Sequence, residues 1–358
     1  MNITFIIYSM SNGGAERVVA SLSNYFCSKG HNVNILTQTN EDSFYTLDKR
    51  VNLTSIEKNE SSGIKGYLRR SWAIRQFLKN SEADLAISFM TSSNIVLSIA
   101  SLGLKCRSFG SERTYPPLHN LPKKLNILRK IFYRFLDGVV VQTTDTKAWF
   151  YNNITTKSLE IIPNPINYPF QDTYPTVEVP LRSNGRKSII SVGRLVASKG
   201  HSQLIKSFLR YQDALKDTDL YILGGGEEYD NLNGLILELG LEGRVFIVGQ
   251  VGNMSDWYNF ADVFVMASRY EGFPNVLLEA MSFGLPAIVM DCHSGPRDII
   301  DGTNGILIEL DDYNGLWCAT SRIMKERDEY TNISKNARKV MQEYNIEALA
   351  SRWLSLKG

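Results

Sequence analysis

The sequence has few cysteines and no long apolar segment. Four cysteines occur in 358 residues, and their spacing fits neither a zinc site nor a disulfide framework, which is typical of a protein from a reducing cytosol. They are Cys27, Cys106, Cys292 and Cys318. No run approaches the roughly 18 uninterrupted apolar residues that a membrane span needs, and the apolar residues 3–8 lack the basic flank of a signal peptide. The sequence therefore predicts a cytoplasmic protein that is neither secreted nor membrane-spanning.

Composition excludes a disordered or fibrous chain, and charge divides the sequence into two unequal parts. Residues are 43% hydrophobic and 21% charged, and the length is about twice that of a usual single domain. The first 170 residues hold 20 basic and 12 acidic residues, a balance of +8, and the remainder holds 19 and 25, a balance of −6. We therefore expect the N-terminal part to face an anionic partner, with phospholipid, nucleic acid and a phosphorylated acceptor as candidates.

Short β-branched segments alternate with longer amphipathic ones, which is typical of strand–helix units that build parallel sheets. The pattern begins at residue 2 and again at residue 187, and five of the eleven prolines lie within residues 163–180, shortly before the second start. We predict an α/β fold with two Rossmann-like domains, residues 1–166 and 187–340, joined by a proline-rich linker at 167–186. Residues 341–358 are predicted to form a helix that caps the second domain or returns to the first. The active site is expected between the two domains, at the carboxyl ends of the strands.

The densest motif is residues 268–279, which follow a predicted strand and lead into a helix. Pro274 suits the first helical turn, so Glu271 is expected in the loop and Glu279 inside the helix. Free backbone groups at a helix start can bind an anionic or hydroxyl-rich ligand. The amides expected to point out of this helix are those of Asn275 and Val276. A simple turn followed by a solvated Glu279 is the alternative, and the motif alone leaves it open.

Two cations stand in residues 193–200, directly after a predicted strand and before a helix. Arg194 offers a planar fork to phosphate oxygens, and Lys199 offers a mobile point charge. This combination suits a diphosphate. A surface turn with two solvated cations is the alternative.

Glycines follow two other predicted strands. Gly13 and Gly14 allow a close backbone approach, and the helix that begins near Glu16 directs its amides at an anion. Gly225, in the middle of three glycines, could likewise admit a ligand close to the backbone. Neither loop is specific alone, and no G-x-G-x-x-G fingerprint accompanies them.

Taken together, these motifs resemble the retaining glycosyltransferases of family 4, which have the two-domain GT-B fold. The resemblance rests on Glu271 and Glu279 with seven residues between them, on the Gly-Arg-x(4)-Lys-Gly loop, on the N-terminal Gly-Gly pair and on residues 162–166. Together with residues 291–298, the motif is most similar to bacterial members that move hexose or N-acetylhexosamine units onto lipid-linked precursors of surface polysaccharides.

The resemblance implies a role for each matching position. Arg194 and Lys199 would hold the donor diphosphate, helped by the backbone of Gly13 and Gly14. Glu271 would contact the transferred sugar, and Glu279 would bond the nucleotide ribose. The backbone groups that would contact sugar hydroxyls and phosphate belong to Phe273, Pro274, Asn275 and Val276. The expected donor is a UDP-sugar and the expected acceptor a polyprenyl-diphosphate-linked saccharide, with no cofactor and no metal.

The first domain departs from the family pattern. Many relatives carry a histidine after a strand in this region, whereas this sequence continues into Glu112 and Arg113, and His119 follows only downstream. From position alone, we predict that Glu112 or Arg113 faces the acceptor or the donor. The part that a histidine takes in catalysis stays open.

Residues 123–136 predict a basic amphipathic helix. Lys123, Lys130 and Arg134 fall within about 40° of each other on a helical projection, opposite an apolar arc. That arc consists of Leu125, Phe132 and Leu136. The helix is expected either to dock on anionic lipid at the cytoplasmic face of a membrane or simply to pack its apolar arc on the sheet.

Two other functions compete with glycosyl transfer. A nucleotide-sugar epimerase of the same fold would convert the donor without an acceptor, and a catalytically silent subunit would bind the donor without product. Nucleic-acid binding would account for the basic half, but no recognised nucleic-acid motif accompanies the charge, so we expect none.

Overall fold

The computed structural model describes residues 1–56, 63–166, 170, 172–182 and 185–357. The chain divides into two compact units, which we describe separately. Unit 1 comprises Met1–Pro165 and Tyr344–Gly358, and unit 2 comprises Ile166–Glu343. Each unit is built on one parallel sheet, of seven strands in unit 1 and six in unit 2, so the predicted two-domain α/β fold is confirmed.

Unit 1 is a doubly wound sheet whose order is β3-β2-β1-β4-β5-β6-β7. Its strands are β1 (Asn2–Ile6), β2 (Asn32–Thr37), β3 (Asn52–Ser55), β4 (Leu85–Phe89), β5 (Arg107–Ser111), β6 (Gly138–Val141) and β7 (Leu159–Ile161). In the centre of the sheet, Ile3 pairs with Val33 of β2 on one side and with Leu85 of β4 on the other. All three side chains are buried, as expected for strands that helices cover on both faces.

The helices of unit 1 connect successive parallel strands. They are α1 (Gly14–Ser28), α2 (Gly63–Asn80), α3 (Thr91–Ala100), α4 (Lys123–Phe132) and α5 (Thr144–Asn153). Helix α3 is almost wholly buried, and it contacts α2 and α4. A core cluster joins residues of α2, α3 and α5 to the strands beneath them.

Unit 2 repeats this plan with strand order β10-β9-β8-β11-β12-β13. Its strands are β8 (Lys187–Val192), β9 (Thr218–Leu223), β10 (Val245–Gly249), β11 (Val263–Met266), β12 (Ala287–Met290) and β13 (Ile306–Ile308). Its helices are α6 (His201–Tyr211), α7 (Tyr229–Glu238), α8 (Met254–Phe260), α9 (Asn275–Ser282), α10 (Pro296–Ile299), α11 (Tyr313–Lys325), α12 (Arg327–Ala337) and α13 (Val340–Glu343). Trp317 of α11 packs edge-on against Phe208 of α6 in its core.

The predicted linker does not stand apart from unit 2, which already begins at Ile166. Thr173 donates its amide to the carbonyl of Gly252, and Val177 donates its amide to Oδ1 of Asn253 at 2.9 Å. These bonds fix part of the proline-rich segment beside α8. Residues 167–169, 171 and 183–184 of the predicted linker lie outside the described residues.

The last helix, α14 (Ile346–Leu354), belongs to unit 1 and contacts α1. Asn345 caps it, accepting a 2.7 Å hydrogen bond from the amide of Ala348. Trp353 is buried against Phe89 of β4, with ring centroids 6.0 Å apart. Arg107 of β5 donates to the carbonyl of Leu356 at 2.6 Å. Of the two positions that the sequence left open for this helix, the structure has the return to the first unit.

No helix in the described part of the chain is both long and apolar enough to span a bilayer.

Candidate active site

Three loops meet at the carboxyl edge of the unit 2 sheet, after β8, β9 and β11. The loop after β9 lies directly against the loop after β8, because a Cβ on Gly224 would stand 1.9 Å from the carbonyl oxygen of Gly193. Leu195 donates its amide to the carbonyl of Gly225 at 2.9 Å. Gly225, predicted to admit a ligand, thus uses its carbonyl to fix the loop that carries Arg194.

The loop after β11 is fixed to the loop after β8 as well. Arg269 donates its amide to the carbonyl of Ser198 at 2.9 Å. Gly200 has a φ of +72°, and a Cβ there would stand 2.2 Å from the carbonyl oxygen of Ala267. Only glycine fits this approach without strain. The two predicted motifs, residues 193–200 and 268–279, are therefore parts of one site.

Lys199 and Glu271 form the central ion pair of this site. Nζ of Lys199 lies 2.6 Å from Oε1 and 2.7 Å from Oε2 of Glu271. Only 17% of the Lys199 side chain and 8% of the Glu271 side chain are exposed. A pair shielded from water to this degree interacts more strongly than a surface pair, but each charge has also lost hydration. Ligand groups that offer either charge a further partner would bind favourably here.

Arg194 differs from Lys199 in its surroundings. Its side chain is exposed, and among the described residues its guanidinium makes no ion pair. The structure thus brings Arg194 onto the same loop edge as the Lys199–Glu271 pair while leaving its planar fork of donors available to an anion.

Glu279 lies inside α9, as predicted, but it is buried rather than solvated. The hydroxyl of Tyr258 donates to Oε2 of Glu279 at 3.0 Å. Tyr258 packs against Phe283, with ring centroids 5.4 Å apart, and Phe283 stacks on Phe170 at 5.5 Å. Aromatic rings therefore stand beside this carboxylate, and the solvated alternative for Glu279 is wrong.

The start of α9 differs from the prediction in one respect. The amide of Asn275 is not free, because it donates to the carbonyl of Phe273 at 3.0 Å in a tight turn at Pro274. Phe273 and Pro274 are themselves buried, while Asn275 and Val276 are half-buried. The expectation that the Asn275 amide points out of the helix is wrong in this structure, since the proline turn already uses it.

The loop after β12 supports this turn from the other side. Ser294 donates its hydroxyl to the carbonyl of Gly272 at 3.2 Å, and Glu271 donates its amide to the carbonyl of His293 at 3.2 Å. Gly295 has a φ of +107°, and a Cβ there would stand 2.5 Å from Cδ of Pro274. Glycine at 295 is therefore required for this close approach to Pro274.

Two buried groups beside the ion pair were not predicted. Burial lowers the pKa of His201 to about 4, and the positive charge of Lys199 adds to this effect. Burial, with the negative charge of Glu271 next in size, raises the pKa of the Cys292 thiol to about 12. Both groups are therefore neutral near pH 7. A lone histidine and a lone cysteine carry no spacing pattern, so neither could be selected from the sequence.

In unit 1, the carboxylate of Glu16 lies at the start of α1, where the sequence predicted that an anion would bind. A Cβ on Gly13 would stand 2.2 Å from Oε2 of Glu16, so this carboxylate lies over the glycine backbone. Burial raises the pKa of Glu16. Tyr45 donates its hydroxyl to the carbonyl of Gly13 at 2.9 Å, while α1 begins at Gly14. A bound anion at Gly13 and Gly14 would have to displace Glu16.

Glu112 is buried in a polar cluster of unit 1. Thr91 donates its hydroxyl to both carboxylate oxygens, at 3.0 and 3.1 Å, and the hydroxyl of Tyr133 donates to Oε1. Burial, and next the charge of Glu112, raise the pKa of Tyr133 well above its usual range, so this hydroxyl stays a donor. The cluster accounts for Glu112 without any ligand.

Arg113 is buried as well. Its Nη1 donates to Oδ1 of Asn164 at 2.6 Å, and its guanidinium lies 4.3 Å from the ring centroid of Phe89 and 5.9 Å from that of Trp353. Burial lowers the pKa of Arg113 to about 9. A contact of Glu112 or Arg113 with substrate stays a prediction, and the bonds seen here are with the core of unit 1.

Two parallel-sheet units of this kind place the chain in the GT-B class, and solved structures agree. Sucrose-phosphate synthase from Thermosynechococcus elongatus is similar, with a TM-score of 0.83 and 20% identity over 99% of this chain and 98% of that one. Anabaena HepE in complex with UDP is similar with a TM-score of 0.80 and 18% identity over 98% of each chain. These likenesses establish the fold.

Family models identify the chain more closely. Residues 12–168 match the model described as Glycosyltransferase Family 4, and residues 176–340 match Glycosyl transferases group 1. The chain belongs to the family 4 glycosyltransferases.

Curated relatives are similar over nearly the whole chain. One from Campylobacter jejuni is the GalNAc-alpha-(1->4)-GalNAc-alpha-(1->3)-diNAcBac-PP-undecaprenol alpha-1,4-N-acetyl-D-galactosaminyltransferase, 28% identical over 99% of this chain and 98% of that protein. Another from the same organism is N-acetylgalactosamine-N,N'-diacetylbacillosaminyl-diphospho-undecaprenol 4-alpha-N-acetylgalactosaminyltransferase, 28% identical over 97% of this chain and 98% of that protein.

Proposed function

We propose that the protein transfers a hexose or N-acetylhexosamine from a UDP-sugar to a polyprenyl-diphosphate-linked saccharide during surface polysaccharide synthesis. The two Campylobacter relatives support this substrate class, since their names specify undecaprenyl-diphosphate-linked saccharides. The amylovoran biosynthesis glycosyltransferase AmsD of Erwinia amylovora, 24% identical over 98% of each chain, supports the polysaccharide context. The HepE complex supports UDP as the nucleotide.

The observation that carries the proposal is the shielded Lys199–Glu271 pair, with Arg194 exposed on the same loop. Breaking a glycosyl-phosphate bond builds negative charge on the departing diphosphate. Fixed cations at Arg194 and Lys199 would stabilise that charge more in the transition state than in the ground state. The neighbouring carboxylate of Glu271 would accept hydrogen bonds from hydroxyls of the transferred sugar.

The proposal includes retention of configuration and independence of metal. The two side-chain cations supply the charge that a divalent ion would otherwise supply. The leaving phosphate would accept the proton of the attacking hydroxyl on the same face of the sugar, so neither Glu271 nor Glu279 acts as a hydrolase nucleophile. Glu279, held by Tyr258 in its aromatic surroundings, would bind the nucleotide ribose.

The nucleotide-sugar epimerase and the silent subunit receive no support. The Campylobacter and Erwinia relatives named above are transferases, and the ion pair of Lys199 and Glu271 is intact. A donor that is converted or bound without any transfer would be needed to revive either alternative.

A transfer assay tests the proposal. UDP-glucose, UDP-galactose and their N-acetylated forms are each incubated with synthetic polyprenyl-diphosphate-linked saccharides, with and without EDTA. We expect one donor to yield an extended saccharide of unchanged anomeric configuration by NMR, at a rate that EDTA does not lower. Release of an epimer without acceptor would contradict glycosyl transfer. An inverted product would contradict retention of configuration, and full inhibition by EDTA would contradict independence of metal.

Lys199→Met tests the role of the ion pair. Loss of one fixed donor to a developing oxyanion lowers turnover by about 100- to 1000-fold, and we expect a loss of this size with the fold intact by circular dichroism. Lys206→Met is the matched control, because Lys206 is exposed on α6 and outside the site. Equal turnover of the two variants would remove Lys199 from the mechanism.

We also propose that the protein works at the cytoplasmic face of the membrane, through the basic side of α4. Lys123 and Lys130 of α4 are exposed, and so is Arg134 in the turn that follows this helix. The opposite arc of Leu125, Phe132 and Leu136 packs into the core of unit 1, so that arc is not the surface that meets lipid.

A further inference from the structure

The imidazole ring of His201 is buried without a hydrogen-bond partner. His201 is the first residue of α6, and it is 4% exposed. Among the residues that the structure describes, none forms a hydrogen bond with either ring nitrogen. A neutral imidazole has one N–H donor and one acceptor nitrogen, and buried groups of this kind are usually hydrogen-bonded. Because unpaired buried groups cost stability, packing alone does not account for a histidine at this position.

The ring lies against the short turn of residues 193–194, which carries Arg194. A Cβ on Gly193 would stand 3.7 Å from Nε2 of His201, which is an ordinary van der Waals distance. Burial and next the charge of Lys199 lower the pKa of the ring, and the backbones of Gly193 and Arg194 act in the opposite direction. A backbone group favours a protonated ring when its carbonyl oxygen faces that ring. The ring of His201 therefore faces carbonyl oxygens of this turn without pairing with them.

The two ring nitrogens of His201 are closed to solvent, whereas the side chain of Arg194 is exposed. A diphosphate can thus reach the guanidinium of Arg194, but it cannot reach the nitrogens of His201 in this structure. Any influence of the ring on a bound anion must therefore pass through the backbone of residues 193–194.

Hydrogen bonds anchor this turn on both sides of Arg194. Gly193 donates its amide to the carbonyl of Leu223, and Leu195 donates its amide to the carbonyl of Gly225, both at 2.9 Å. These anchors use the amides of the turn, and each of its carbonyl oxygens has two lone pairs with which it can accept. A small shift of the turn would therefore bring a carbonyl oxygen onto the ring N–H while the anchors stay in place.

We propose that His201 is a positioning residue for Arg194. In the donor-bound state, the ring N–H donates a hydrogen bond to a backbone carbonyl of the turn of residues 193–194, and this bond holds the guanidinium of Arg194 against the diphosphate. The attraction between the anion and Arg194 supplies the free energy that shifts the turn onto the ring. A guanidinium held in place in this way stabilises developing charge without further reorganisation. The donor that is unpaired in the free protein thus gains its partner when the ligand binds.

This role of His201 rests on the proposed function only for its ligand, a nucleoside diphosphate. Binding of UDP is measurable without an acceptor and without any transfer, so the two ideas can fail separately. If UDP did not bind the wild type, both the UDP donor and the role of His201 would be contradicted. If UDP bound the wild type and the His201 variants equally well, the role of His201 alone would be overturned.

His201→Phe and His201→Gln test the positioning role through the affinity for UDP, measured by titration calorimetry on the full chain. Phenylalanine keeps a planar ring but has no nitrogen. The Phe variant should therefore bind UDP about three- to tenfold more weakly, which corresponds to the loss of one hydrogen bond. Glutamine can place an amide N–H near the position of Nε2, so the Gln variant should stay within about twofold of the wild-type affinity.

Stability separates a positioning role from a packing role. His201→Phe removes two unpaired polar atoms from a buried site, so without UDP the variant should resist urea at least as well as the wild type. A residue that only fills space would lose stability and UDP affinity together. His31→Phe is the matched control, because His31 belongs to unit 1 and directly precedes β2, at the amino end of that strand. It should leave the affinity for UDP unchanged.

An NMR signal reports the proposed hydrogen bond itself. The chain has four histidines, so the spectrum of His201→Gln, with isotope-labelled histidine, identifies the ring resonance of His201 by its loss. Addition of UDP to the wild type should move the ring N–H proton of His201 to lower field, which is the direction of a stronger hydrogen bond.

The results that would overturn the positioning role are equally specific. A ring N–H signal that UDP leaves unchanged would show that the hydrogen bond does not form. A His201→Phe variant with wild-type affinity for UDP would show that the ring nitrogens are not needed. A His201→Gln variant that binds UDP as weakly as the Phe variant would assign the ring a packing role instead.

Discussion

The carboxyl edges of the two sheets differ in the surroundings of their charged residues. In unit 2, Arg194 is exposed, and Lys199 forms a largely shielded ion pair with Glu271 on the loops that follow β8 and β11. In unit 1, Glu112 and Arg113 leave the equivalent end of β5 but turn into the core, where Tyr133 and Asn164 bind them. Charged residues that follow a parallel strand therefore end either in loops at the sheet edge or in the core, depending on what the rest of the chain packs against them.

The difference follows from how each edge is built. In unit 2, loops of nearby strands fix one another through glycines, as where Gly224 lies against Gly193. In unit 1, the cover over Arg113 comes from Trp353, 240 residues further along the chain. Local sequence motifs therefore predict the arrangement of the unit 2 edge well. At the unit 1 edge, the burial of the charged residues depends on a helix that is distant in sequence.

The largest loss of stability is expected from removing the side chain of Trp353, which packs over Arg113. Trp353→Ala deletes a buried ring that packs on Phe89 and Arg113, and such changes cost about 3–5 kcal/mol. We expect loss of hydrogen-exchange protection throughout unit 1. Trp72→Ala is the control, since Trp72 is 64% exposed, and it should change stability by less than about 0.5 kcal/mol. Equal effects of the two substitutions would mean that α14 does not hold the edge of unit 1.

A pair of glycine substitutions compares the two edges directly. Gly224→Ala places a Cβ 1.9 Å from a backbone carbonyl at a φ of +144°, which should cost about 2–3 kcal/mol. At Gly13, φ is −163° and the three atoms nearest to the added Cβ all belong to the Glu16 side chain, which can rotate. Gly13→Ala should therefore cost less than about 1 kcal/mol. Urea unfolding measures the loss of unfolding free energy in both variants. A larger loss for Gly13→Ala than for Gly224→Ala would show that the Glu16 side chain cannot move away.

The smallest effect is a pH dependence at the unit 2 edge. Because the folded pKa of His201 is about 4 and its ordinary value is 6.5, the unfolded chain takes up a proton first. The stability from the neutral ring is fully present above pH 6.5 and is lost as pH falls towards 4. From pH 7.5 to pH 5, the wild type should lose about 2 kcal/mol more than His201→Gln.

A histidine of unit 1 provides the control for this measurement. Burial also lowers the pKa of His31, but its ring is only half-buried. His31→Gln should change the pH dependence in the same direction and by less. If the free energy of unfolding depended on pH equally in the wild type and the His201 variant between pH 7.5 and pH 5, the ring would already bind a proton in the folded state.

Much of the unit 2 site was predictable because its motifs are short. Strand ends, glycines and Pro274 fix the backbone within a few residues, so the positions of Lys199, Glu271 and Glu279 on loop and helix followed from the sequence. One prediction for this site was wrong. The Asn275 amide was expected to be free, but it donates a hydrogen bond within the proline turn. Periodicity could not resolve a hydrogen bond between residues two apart.

The sequence by itself determined two parallel α/β units and the motif residues of the second, because hydrophobic periodicity and turn chemistry act over a few residues at a time. Only the tertiary structure decided which charges stay accessible. It buried Glu112 and Arg113, laid Glu16 over Gly13, and left Leu68 and Trp72 in solvent. Burial depends on what packs against a side chain from elsewhere in the chain, and no local pattern carries that information.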